Sequence, residues 1–184
     1  MSTPVDIPSP LGEQHRSWGI PADEDILWLL EQDIPETWLY TPWPISSTTV
    51  SIARGQFRED AEGDRALIFR CTDHNSIVDL IAWHPESNRL ASWCGAGFCI
   101  GDIDDIFNPA TYFAGDALRI HASPIEWLRA DRDGIVIARP ELAGVYLGRV
   151  PRIVFTDIKL AERTERQIKK PTAIVETLVE ADDE

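Results

Sequence analysis

Apolar positions in this chain change their period along its length, and the changes mark its elements. Between Pro21 and Gln32, the run Ile26 to Leu30 follows three consecutive acids, a pattern that predicts a helix. Pro21 suits the first helical position, and Asp23, Glu24 and Asp25 stand where the helix dipole favours anions. Pro35 stops it, and Pro42 and Pro44 predict an extended aromatic stretch over residues 37–44. Residues 1–17 read as mobile. The β-branched run Thr48 to Ala53 predicts a strand and Ala66 to Cys71 another, with Glu59 to Asp64 as an acidic hairpin-like loop between them. Ile77 to Trp83 and Leu90 to Trp93 predict a further pair joined across the turn composition His84-Pro85-Glu86-Ser87-Asn88. Gly95-Ala96-Gly97 then breaks the pattern before Phe98-Cys99-Ile100.

Over residues 117–179 short apolar runs alternate with helical periods. Ala117 to His121 predicts a strand. Ser123, Pro124 and Glu126 have the spacing of an N-cap, a first helical residue and a capping box, and Gly134 ends that helix. Ile135 to Ala138 and Arg152 to Phe155 read as buried strands, with a short helix from Pro140 to Leu147 between them. Ile158 to Lys169 reads as an amphipathic helix with Ile158, Ala161, Thr164 or Glu165, and Ile168 at helical spacing on one face, and Thr172 to Val179 as a last strand. The β-α-β-α-β order predicts a small parallel unit. The fold class is therefore α+β: antiparallel strands in the front half and a β-α-β-α-β unit in the back half. One domain, residues 46–184, carries an N-terminal arm over residues 1–45.

Charge sharpens the picture of that arm. The 184 residues hold 17 Lys+Arg against 31 Asp+Glu, a formal net charge of −14. Residues 1–64 carry −9 of it, residues 65–148 carry −4 and residues 149–184 only −1. The first 45 residues also contain seven of the 13 prolines and four of the seven tryptophans. Proline blocks regular structure while Trp wants burial, so this segment reads as an arm lying against the domain or a partner. Net −14 excludes unassisted binding to phosphate backbones, which rests on neutralisation by Lys and Arg. Fourteen Arg against three Lys point to two-pronged pairing with carboxylates inside the molecule. Three cysteines cannot pair completely, which excludes a disulfide scaffold and points to a reducing cytoplasm. The start Met1-Ser2-Thr3-Pro4 has no basic, apolar leader pattern, and no apolar run reaches the roughly 18 residues of a membrane span.

Candidate chemistry is sparse. Cys71, His74, Cys94 and Cys99, with His84 nearby, form half of a zinc pattern; Cys71-x2-His74 has ligand spacing, but Cys94-x4-Cys99 is too loose. Small core cysteines are the expectation, with no metal and no cofactor. Asp102, Asp104 and Asp105 have the look of an acidic helix start, without the ligand spacing of a calcium loop. Cys94 has no basic neighbour in sequence to lower its pKa, and His121 reads as a strand end. Glu141, followed after fifteen residues by Asp157-Ile158-Lys159, resembles the carboxylate pair and lysine of the PD-(D/E)xK nucleases. That resemblance implies a divalent ion on Glu141 and Asp157, with Lys159 orienting water. Here Glu stands for the usual first Asp, and a predicted helix intervenes where that family has a hairpin. The same segment is similar to Toprim domains, with the second acid of the Asp-x-Asp replaced by Lys159. Asp157 as a helix cap and Lys159 as a solvated residue account for the pair equally simply.

Two function classes follow. The favoured one is a non-catalytic acidic macromolecule-binding protein, of the kind by which phage or mobile elements mimic nucleic-acid charge and block a basic groove on a host protein. Its expected binding residues are Asp23, Glu24, Asp25, Trp38 and Trp43, with Trp28 in the core. The alternative is a divalent-metal-dependent nucleic-acid enzyme using Glu141 and Asp157.

Overall fold

The structure, a computed structural model, describes residues 10–40, 45–74 and 76–169, with the side chains of Trp38 and Tyr40 outside that description. The predicted last strand over 172–179 and the Pro42–Pro44 segment lie outside it as well. The described chain contains both helices and strands, consistent with the α+β class.

Five strands close on themselves. β1 (Ser46–Ala53) turns through Arg54-Gly55 into β2 (Gln56–Glu59). A second turn leads to β3 (Asp64–Asp73), which runs antiparallel to β1 and to β4 (Ser76–His84). β4 pairs antiparallel with β5 (Arg89–Ser92), and the ring closes through a parallel contact of β2 and β5 at Gln56 and Ser92. Each strand sends buried apolar side chains inside: Val50, Phe57, Ala66, Ile68, Leu80, Ala82 and Ala91. Side chains alternate across a strand, so the neighbours Leu67, Phe69, Ile81 and Trp83 face outward. They are buried too, in a second core shared with the rest of the chain. Both faces of β3 and β4 are therefore covered, and their sequences are correspondingly near-continuous apolar runs.

The N-terminal segment caps this ring. α1 (Pro10–Ser17) is a helix where residues 1–17 were expected to be mobile; its Leu11, with Trp18 just beyond it, packs on the inner cluster. Trp18 and Phe57 each meet Trp93 edge-on and tilt against one another, with ring centroids 5.2–6.1 Å apart. α2 (Asp23–Glu31) matches the predicted helix, but Ala22 is its N-cap, which puts Pro21 outside. Leu29, Ile34, Leu39 and Ile45 enter the second core; Trp28 is half-buried, its ring 6.0 Å from that of Trp83. Thr37–Tyr40 forms a single helical turn, α3, instead of the expected extended chain. Pro42 constrains only the residue before it, which leaves Leu39 free to turn inward.

The back half departs furthest from expectation. β3 outruns β1 and pairs parallel with β6 (Cys99–Asp102), and β6 pairs antiparallel with β8 (Val136–Ile137). β7 (Leu118–Ile120) lies parallel to β9 (Ile153–Phe155) in a separate two-stranded sheet. Ile135–Ala138 and Arg152–Phe155 thus belong to different sheets, and the predicted unit retains the parallel pairing of β7 with β9 and one parallel bridge, Ile120 to Ile135. The strand of Ile135 leaves that bridge because Cys99 and Ile100 capture its next residues, and the glycine pair Gly101 and Gly134 lets the backbones cross closely. Between them run α4 (Asp104–Phe107), a 3-10 segment at Pro109–Gly115, α5 (Pro124–Arg129), a 3-10 turn at Pro140–Leu142, α6 (Ala143–Leu147) and α7 (Ile158–Ile168). Ser123 accepts from the Glu126 N–H at 3.3 Å while the Glu126 carboxylate reaches back to the Ala122 N–H, a capping box displaced by one residue. In α7, Leu160 and Thr164 are buried and Ile158 is 75% exposed, which shifts the inward face from the predicted one.

Candidate functional site: an acidic edge

Acids that are far apart in sequence meet beside the ring. The first turn of α2 lies against the start of β3, where Arg65 pairs with Glu24 at 2.5 Å and with Asp25 at 3.0 Å. Next to this pair, a cavity of about 380 Å³ is lined by Trp28, Asp64, Pro85 and Glu86 besides Glu24 and Asp25. Asp64 and His84 also line the neighbouring cavity, of about 400 Å³, with Asp60, Glu62 and Arg89. Asp23 lines a third cavity together with Glu24 and Arg65. Three segments, residues 23–25, 60–64 and 86, thereby present one acidic edge.

The turn at residues 60–64 is built to be tight. Asp60 accepts from the Glu62 N–H at 3.1 Å, and a Cβ on Gly63 would stand 2.4 Å from the Val50 carbonyl oxygen. Sequence reading found the Asp23–Asp25 group and the acidic loop separately. They meet because Arg65, at the start of β3 beside the acidic loop, pairs with Glu24 and Asp25. Trp43 lies outside the described residues; Trp38 lies on α3.

The metal candidates scatter. Cys71 and Cys99 are buried on adjoining strands, where a hydrogen bond to Cys71 and burial push the Cys99 thiol up. His74 is exposed, bonded to Asp73 at 2.7 Å and to Asp104 at 3.1 Å, contacts that raise its pKa. Cys94 faces the Val78 carbonyl at 3.7 Å, with its thiol pKa raised first by burial. Among the described residues no group of three or more His, Cys, Asp or Glu is arranged to hold a metal ion. The nuclease-like residues also have other partners. Glu141 takes the Arg139 Nε at 2.7 Å, Asp157 caps α7 by accepting from the Leu160 N–H at 2.7 Å, and Lys159 is exposed.

Two features escaped the sequence. Asp79 is fully buried and accepts five backbone N–H groups at 2.7–3.1 Å, from Leu80, Trp93, Cys94, Ala96 and Gly97. It fixes the whole Trp93–Gly97 loop, and Gly97 is required because a Cβ there would meet the Asp79 Cβ at 2.7 Å. The outer face of β7 and β9 forms the floor of a cavity of about 640 Å³, with Arg119, His121, Arg152 and Thr156 below and Asp105 and Asp116 on its rim. His121 is buried and its Nε2 donates to the Asp133 carbonyl at 2.8 Å. Burial first, then Asp102, Asp104 and Asp133, push the Asp105 carboxyl up to about 6.

Comparison of the chain with known protein families, curated proteins and solved structures finds no match in any of the three. Among the described residues no helix is long and apolar enough to cross a membrane.

Proposed function

We propose that this protein is a non-catalytic acidic binder whose partner presents a basic surface. The reading is that of an inhibitor that occupies a nucleic-acid-binding groove in place of phosphates. The convergence of Asp23, Glu24, Asp60, Glu62, Asp64 and Glu86 around cavities that share residues carries it. Among the described residues, Arg65 and Arg89 are the only arginines lining them, so the edge stays strongly negative. Such a field accelerates encounter with a positive partner and falls off over a Debye length of about 8 Å at physiological salt. Trp28, half-buried at the floor, supplies an apolar contact inside an acidic rim; Trp38 and Trp43 are assigned to the same partner surface. Glu141 and Asp157 are engaged by Arg139 and by the start of α7, which speaks for the binder over a metal-dependent enzyme built on them.

The test is displacement of a fluorescent DNA duplex from a panel of purified bacterial DNA-binding proteins. Wild-type protein should displace the duplex from at least one of them, more slowly as salt rises. Asp23, Glu62 and Glu86 are exposed; changing all three to Lys should slow association about tenfold or more and flatten the salt dependence. Failure to displace DNA from any member, or equal displacement by the triple variant, would overturn the reading.

A further inference from the structure

The ring closes where β2 meets β5, and beside that contact lies a cavity of about 340 Å³. Its charge runs against the rest of the molecule. Arg54 and Arg139 line it against the single carboxylate of Glu141. Each of four other cavities, those of Asp105, Asp60, Trp28 and Asp23, holds more carboxylates than arginines among its described residues.

The polar groups around it are unused in a consistent way. Ser92 is 1% exposed, and among the described residues its hydroxyl has no hydrogen-bond partner. Among the described residues no carboxylate pairs with Arg54, and no group bonds the Gln56 amide, which lies over Gly95. Arg139 donates from Nε to Glu141 and from Nη1 to the Gly95 carbonyl, which leaves its second Nη group available. Guanidinium, amide and hydroxyl all donate, and the one carboxylate acceptor is already taken. What the site lacks is an anion to face its two guanidinium groups. A buried hydroxyl without a partner is uncommon enough to need an explanation, and two arginines with planar donor forks match an oxyanion.

We propose that this cavity binds a tetrahedral oxyanion, a phosphate or the phosphate group of a small molecule, held by Arg54, Gln56, Ser92 and Arg139. The overall charge of −14 does not forbid this, because charges beyond about 8 Å are largely screened at physiological salt.

Thermal unfolding of the full chain tests it, in sodium phosphate or glycerol phosphate against sodium chloride of equal ionic strength. With a millimolar dissociation constant, about 10 mM phosphate should raise the midpoint by about 3 °C. Arg54 has φ 52°, a conformation that glycine adopts without strain, so Arg54→Gly should keep or raise the midpoint without phosphate. The same variant should lose most of the phosphate response. Ser92→Ala, which removes a hydroxyl without a partner, should at least halve it. Arg58→Ala, on an exposed position of β2 outside the cavity, should keep it in full. A response to glycerol phosphate but not to free phosphate would assign the site to phosphomonoesters. No rise in wild type with either, or an equal rise in Arg54→Gly and Ser92→Ala, would overturn the proposal.

Discussion

His15 shows how one buried ring sets the response of this protein to acid. It sits on α1 with 1% of its surface exposed, and burial first, then the Arg70 and Arg16 charges, lowers its pKa to about 4. In the unfolded chain its pKa is near 6.5, so between about 6.5 and 4 the unfolded state binds the extra proton. Stability is therefore fully present above about pH 6.5 and falls as pH drops toward 4, by about 3 kcal/mol for this one group. Asp105 acts in the opposite sense. Its folded pKa of about 6 stands above the usual carboxylate value, so it costs stability as pH rises from about 4 through 6. Urea unfolding between pH 4 and 8 separates the two. The deficit of His15→Gln relative to wild type should shrink by about 3 kcal/mol on going from pH 7 to pH 4. Asp105→Asn should be more stable than wild type at pH 8 and no more stable at pH 4. A pH-independent deficit in His15→Gln would mean that its ring titrates alike in the folded and unfolded states.

At the scale of elements, the Trp93–Gly97 loop depends on one carboxylate. Asp79→Asn keeps the shape of the side chain but turns an amide NH₂ toward backbone donors, leaving buried N–H groups without acceptors. The expected cost is about 3 kcal/mol or more, with faster amide exchange over residues 93–97 in hydrogen-exchange experiments. Elements of this kind divide what the sequence discloses from what it hides. The strands around Thr48, Ala66, Ile77 and Leu90, and the helices after Ala22, Ser123 and Asp157, were legible because each has a strong local cause: a β-branched run, a turn composition or a cap. β2 was not, since Gln-Phe-Arg-Glu buries only Phe57 and takes its conformation from pairing with β1. The sheet assignment of β8 and β9 was hidden for the same reason, as two and three residues carry no periodicity and their partners are set by the core. The acidic half of the candidate edge could be read at Asp23–Asp25; its completion by Glu62 and Glu86, and the donor cluster at Arg54, exist only in three dimensions.

The whole molecule is organised by β3 and β4, which present one face to each of two cores. The N-terminal segment contributes Leu29, Ile34 and Leu39 to the second of these, all at most 1% exposed. A chain starting at residue 46 should therefore expose apolar surface and fail to give a cooperative thermal transition, because losing even one such Leu or Ile costs about 2–5 kcal/mol. A sharp transition within a few degrees of the full chain would show that the segment is a detachable addition to residues 46–184. The closing contact of the ring is its least redundant part: β2 and β5 pair at one position, Gln56 with Ser92, whereas β3 and β4 pair along seven. A barrel zipped so firmly on one side and latched so lightly on the other can breathe at its latch while its far wall stays shut. The hairpin of β1 and β2 is then a hinged flap, and whatever bridges Arg54 on the flap to Arg139 on the frame would act as its bolt.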